Sequence, residues 1–144
     1  MVSHTRRFRQ SLFLMIYFVQ GAILNYFYNF NSVYLYETFG IREAAIGMLG
    51  FVLMVPFVLK VFIGMLSDRV SPFGLGHRKP YMAAGLLIQA GGFFLVQFVS
   101  PVASPGLFVL VSLMAVTGMA LYDTTTDGFA LDTTAPEEQG AIQG

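Results

Sequence analysis

The stretch Ser11-LFLMIYFVQGAILNYFYNFNSV-Tyr34 decides the class of this protein. It runs for two dozen residues without a single charged side chain. At ~1.5 Å of rise per residue, a helix of about 20 residues crosses the ~30 Å hydrocarbon core of a bilayer. Arg6, Arg7 and Arg9 precede the run, as in a secretory leader. The run is too long for a leader core and carries no small-residue cleavage site, so it reads as a first retained span.

Three further apolar blocks follow: about 45–66, 80–99 and 106–130. Backbone polar groups must be satisfied internally in lipid, so these blocks read as helices. The expectation is an all-α, polytopic membrane protein with four transmembrane helices over 11–34, 45–66, 80–99 and 106–130. A cytoplasmic loop spans 67–79 and a tail spans 131–144, in one membrane domain covering 1–144. Composition agrees, with 56% hydrophobic and 11% charged residues among 144, where soluble domains carry about 25% charged. With no Trp, the interfacial aromatic belt falls to Tyr34 and Tyr36 on one side and Tyr81 on the other.

Lys and Arg set the orientation. Arg6, Arg7 and Arg9 lie before the first span, and Arg69, Arg78 and Lys79 lie in the loop between the second and third. The two opposite loops hold only Arg42. The positive-inside bias predicts a multi-pass protein with both termini cytoplasmic, in a plasma (inner) membrane. No Cys is present, so disulfides are excluded, and no basic patch interleaved with aromatics points to nucleic acid.

The residues that carry chemistry are few. Lys60, Asp123 and Asp127 are charges inside apolar blocks, where each costs at least ~2.5–3.5 kcal/mol on insertion scales. Lys60 lies ~22 Å from the outer start of its span and Asp123 ~24 Å from the start of its own. Matching depth makes them an expected ion pair, although Lys60 can also snorkel to the inner surface and Asp127 can reach water there. In the first span, Gly21, Asn25, Asn29 and Ser32 fall on one stripe of a regular helix. Asn25 and Asn29 read equally as a cavity lining or as helix–helix hydrogen bonding. His4 and His77 form no metal spacing, and no cofactor or enzyme motif is present.

The stretch Gly64-Met-Leu-Ser-Asp68-Arg69, followed by Gly76-His-Arg78-Lys79, resembles the signature loop of the major facilitator superfamily. Gly64 leaves room for a neighbouring helix, and Asp68, Arg69, Arg78 and Lys79 supply a switchable ion-pair network. The second glycine comes later than the superfamily pattern has it. The longer loop with its Pro-Phe-Gly, the run Pro56-Phe-Val-Leu-Lys60, and Tyr122-Asp123-Thr-Thr-Thr-Asp127-Gly128 with Asp132 look like one group of relatives. That group is the folate–biopterin transporters, muropeptide permeases, light-harvesting assembly proteins and glycoside–cation symporters.

The resemblance implies part of the N-terminal six-helix half of a major facilitator fold. The implied function is a symporter-like secondary active transporter, moving a small organic solute by alternating access with proton or sodium coupling. Thr134-Ala-Pro-Glu137 has capping-box spacing. A new helix therefore begins near the end of the sequence, and the reading is a fragment stopping before the fifth span, with the C-terminal spans missing. The rival readings are a membrane assembly factor of the same fold and a self-contained four-helix protein acting as a dimer.

Overall fold

The computed structural model describes residues 2–74 and 76–143, without the side chains of residues 2–7, 9, 73, 138 and 141–143. Arg6, Arg7, Arg9 and Glu138 therefore enter the topology argument by sequence alone. Every regular element among the described residues is helical.

Helix α1 (Val2–Asn25) passes through one π-helical segment, Tyr26–Phe30, into α2 (Asn31–Phe39). Together they form the first apolar helix, and its spanning part is Gln10–Phe39. It runs past the expected end at Tyr34 because Leu35 and Phe39 keep it apolar. Gly40 stops it with φ +62°, a left-handed conformation that costs glycine little, and its N–H bonds back to Tyr36 O at 2.9 Å. Helix α3 (Glu43–Arg69) starts with an acid in its first turn and ends with a cation in its last, as the helix dipole favours. A 3-10 turn at Pro72–Gly74 and the positive φ of Gly76 (+94°) turn the chain into α4 (Lys79–Val96). Proline in the first turn begins both α4 and α5 (Pro105–Thr133), where its missing N–H is no loss. Helix α6 (Pro136–Gln143) closes the chain.

Among the described residues, three helices are long and apolar enough to cross a membrane: Gln10–Phe39, Glu43–Arg69 and Pro105–Thr133. The fourth expected span corresponds to α4, with 18 residues. Lys79, Gln89 and three glycines lower its apolarity, and its ~27 Å falls just short of the bilayer core.

Helix α5 is the hub. Within its apolar window 50% of residues are buried inside the chain, against 11% in each of the other two spans. Helix α4 lies along one side of α5 through a seam of small residues. A Cβ on Gly85 would stand 2.6 Å from Tyr122 N, and one on Gly92 2.6 Å from Ala115 Cα. Backbone approach of this kind is how helices associate in lipid, where apolar burial alone drives little. Helix α3 covers another side of α5, and Leu53 with Phe27, Ala115 and Val116 forms the central apolar cluster. Helix α1 runs antiparallel to α5: Phe13 meets Phe129 and, farther along, Phe27 meets Ala115 and Val116. The outward faces carry Phe18, Phe51 and Leu87, each about three-quarters exposed. Patches like these aggregate in water and belong in lipid.

Candidate functional site

The antiparallel run of α1 against α5 places a polar ladder on one side of the central apolar cluster, toward the start of α1 and the end of α5. Gln20 Nε2 donates to Asp123 Oδ1 at 2.5 Å, and Tyr17 OH donates to Asp127 Oδ1 at 2.7 Å. Tyr17 and Gln20 are three apart on α1, and Asp123 and Asp127 are four apart on α5. Each pair presents one helical face, so two rungs form at once. From α3, Lys60 Nζ reaches Asp123 Oδ2 at 3.5 Å.

Lys60 and Asp123 share one site but not one environment. The Asp123 side chain is 6% exposed, whereas that of Lys60 is 43% exposed. Lys60 belongs to the α3 face that meets α5, with Leu53, Pro56 and Ser67 buried on it. One turn on, a Cβ at Gly64 would stand 3.3 Å from Thr124 Cγ2, so α3 and α5 touch there. The result is a buried carboxylate on α5, held by Gln20 of α1, with the half-exposed ammonium of α3 beside it.

A second cluster lies at the C-terminal ends of α3 and α5. Arg78 Nη2 bonds Asp68 Oδ1 at 2.9 Å, and Arg78 Nε bonds Asp132 Oδ2. The guanidinium lies directly over Gly128, where any Cβ would strike it. Arg78 therefore clasps the ends of two helices, and Gly128 makes the space for it. Gly76 supplies a turn conformation, while Arg69 and Lys79 are exposed and stand outside this clasp.

Asn25 and Asn29 are not joined to the acidic ladder. Asn29 Nδ2 donates to Asn25 Oδ1 at 2.6 Å, and both residues are exposed. The expected stripe of Gly21, Asn25, Asn29 and Ser32 is broken. The π segment at Tyr26–Phe30 winds more residues per turn than an α-helix and shifts the phase, so Asn31 is buried and Ser32 half-buried. Asn31 lines a crevice of about 650 Å³ with Tyr26, Phe30, Tyr34 and Phe108. The capping box at the tail is also replaced. The Thr134 hydroxyl has no partner, and Gln139 Nε2 instead donates to the carbonyls of Thr134 and Leu131, at 3.1 and 3.3 Å.

Two contributors to the site were not singled out from sequence. Tyr17 reads as one more aromatic in an apolar run, and Gln20 as one of several polar residues, with Asn25, Asn29, Asn31 and Ser32, that interrupt it. Their three-residue spacing, at the depth of two acids four apart on an antiparallel helix, is the signal that locates them.

Residues 20–141 match the model of the BT1 family. A folate-biopterin transporter from Synechocystis is 32% identical over 119 residues, covering 83% of this chain and 23% of that protein. The chain thus spans about a quarter of the length of the curated relative it matches. No solved structure matches it. Apolar helices of spanning length and a family match over most of the sequence lead to one assignment: the chain is an integral membrane protein of the BT1 family, a transporter family.

Proposed function

We propose that this chain is part of a secondary active transporter that moves a small organic solute by alternating access, with a proton or sodium ion coupled through Asp123. The single observation that carries the reading is the Lys60–Asp123–Gln20 cluster. It is an ion pair with one member buried and one half-exposed, at the junction of three helices. Intramembrane charges of this kind are costly, and they mark ion or solute pathways. The Synechocystis relative's name makes folate and biopterin the first solutes to try.

In the architecture we propose, α4 is a fourth span and the four helices belong to the N-terminal half of a major facilitator fold. Half-folds of that kind are built from inverted three-helix repeats around a midplane site. Helices α1 and α5 then occupy equivalent cavity-lining places, which fits the polar ladder between them. The Asp68–Arg78–Asp132 clasp is the element with two states, closed when α3 and α5 are drawn together and open when they part. Both termini and the 67–79 loop face the cytoplasm of a plasma membrane. Further spans of the same protein, or a second copy of the chain, supply the other wall. Asn25 and Asn29 face the resulting cavity, as their exposure on α1 favours over helix–helix bonding.

Uptake of tritiated folate and biopterin into sealed vesicles bearing the complete protein tests the proposal. Accumulation above that of empty vesicles, lost in Asp123→Asn, is expected. Equal uptake with and without the protein, for both solutes, would end the transport reading.

A further inference from the structure

We propose that the π segment Tyr26–Phe30 is a register switch in the first apolar helix. When it rewinds as α-helix, Asn31–Phe39 turns by ~100° about its axis and slides by ~1.5 Å, the angle and rise of one residue. Tyr34 then replaces Leu35 against α4 and α5. The switch rests on the transport reading above for its role in the cycle.

The spacing of the core face carries the inference. Phe13 meets Phe129, Tyr17 and Gln20 bond Asp127 and Asp123, and Phe27 packs with Ala115 and Val116. The steps along the chain are four, three and seven residues, the recurrence of one face of an α-helix. Seven residues beyond Phe27 stands Tyr34, yet Tyr34 is 50% exposed and its neighbour Leu35 only 2%. Phe39, four beyond Leu35, packs in the same cluster with Val96, Phe108 and Val111. The step from Phe27 to Leu35 is eight residues, which overshoots two α-helical turns by ~80°. The π segment absorbs that excess. Asn31 N–H bonds Tyr26 O, five residues back rather than four. One extra residue is wound into the helix, and that residue is the whole difference between the two registers.

The observed register is opposed as well as supported. Burial of Leu35 with Phe39 against it supports the π form. Against it, Tyr28 OH is buried with no partner, and the buried Asn31 side chain makes no hydrogen bond to any described residue. Buried polar groups without partners are costly and mark places where strain is held. The α register also has room to form. Tyr34 already lines the crevice of about 650 Å³ with Asn31, Val96 and Phe108, so its ring turns toward the cluster through open space. Ser32 Oγ bonds Tyr28 O at 3.0 Å, a bond four residues back that an α-helix keeps. The same turn restores the single stripe of Asn25, Asn29 and Ser32, the first two of which are exposed on the face proposed for the solute.

The experiment reads the register in the complete protein, with any other cysteines replaced. A disulfide needs Cα atoms within ~7 Å. Leu35→Cys/Val111→Cys therefore cross-links in the π register, and Tyr34→Cys/Val111→Cys cross-links only when the helix visits the α register. Both pairs should close under mild oxidant. Deleting Phe30, an exposed ring of the π segment, removes the extra residue and leaves Leu35 on the core of an unbroken α-helix. In the deletion only the Leu35 pair should cross-link, while folded yield matches wild type. Its uptake of tritiated folate or biopterin, whichever the wild type carries, should fall about tenfold or more through loss of a conformational step. An alanine inserted after Phe30 is the control, since neither register absorbs it and folded yield should drop. Three results overturn the switch: no cross-link in Tyr34→Cys/Val111→Cys, a deletion as poorly folded as the insertion, or a deletion with wild-type uptake. Uptake of neither solute by the wild type overturns the transport reading alone, and the cross-links and folded yields still decide the switch.

Discussion

Adding a single methyl group to the α4–α5 seam should unseat the helix pair on which the site is built. In Gly92→Ala the new Cβ would lie 2.6 Å from both Ala115 N and Ala115 Cα, and in Gly85→Ala 2.6 Å from Tyr122 N and 2.8 Å from Gly118 O. Normal carbon contacts begin near ~3.5 Å, so each substitution pushes the helices apart by a large part of an ångström. The atoms struck are backbone, which cannot rotate away. Overpacking of a tight core costs ~1–3 kcal/mol, and these sites belong at the upper end. Alanine returns up to ~1 kcal/mol of helix propensity. The net expectation is a loss of ~1–2 kcal/mol for each variant, roughly additive because the two glycines are about 10 Å apart. Gly47→Ala and Gly106→Ala provide the control, since nothing lies within 4 Å of either new Cβ. They should be neutral or stabilising by up to ~1 kcal/mol. Thermal unfolding of the detergent-solubilised protein, followed by circular dichroism, reads the series. A Gly92→Ala protein as heat-stable as Gly47→Ala would show that the seam is not packed as described.

Three other outcomes are expected. Lys60→Ala and Asp123→Ala should each lower folded yield, and the double variant should recover part of it; a coupling of ~1–3 kcal/mol suits a pair with one buried and one solvent-screened member, while strictly additive losses would show independence. Gly128→Ala should displace the Arg78 guanidinium, so that adding Arg78→Ala to it costs no further stability; additive losses would argue against the clasp. With no native cysteine in this chain, Ser71→Cys should react with an impermeant thiol reagent only from the cytoplasmic side and Ser104→Cys only from outside, and the reverse pattern would invert the topology.

Much of the site was legible in the sequence because charge in an apolar run is conspicuous. Lys60 and Asp123 stand out on cost alone, and counting residues from the outer ends of their spans puts them at one depth. Gly64 was legible for a similar reason, as the residue that leaves room before an Asp-Arg pair. Rotation about the helix axis was not legible. The stripe through Asn25, Asn29 and Ser32 assumed an unbroken 3.6-residue period, and the π segment at Tyr26–Phe30 has no signature in residue type. Tyr17 was hidden because an aromatic ring counts as apolar until its hydroxyl is given a partner. Within the basic loop, sequence could not single out Arg78 from Arg69 and Lys79 as the residue that reaches Asp132. That choice depends on where α4 begins relative to the end of α5. Helix α4 itself shows the limit of length arguments, since it has only 18 residues, yet its glycines let it pack backbone against backbone with α5.

Access to the proposed cavity from both membrane faces tests the central claim most directly. Asn25 is exposed on α1 and stands apart from the ion pair, so Asn25→Cys reports on the cavity without disturbing the charges. In the complete protein, with any other cysteines replaced, an impermeant maleimide is applied to right-side-out and to inside-out vesicles, with and without folate. Alternating access predicts labelling from both faces, with folate raising the rate on one face and lowering it on the other. Labelling from neither face, or from one face at a rate indifferent to folate, would contradict a solute pathway lined by α1, α3 and α5.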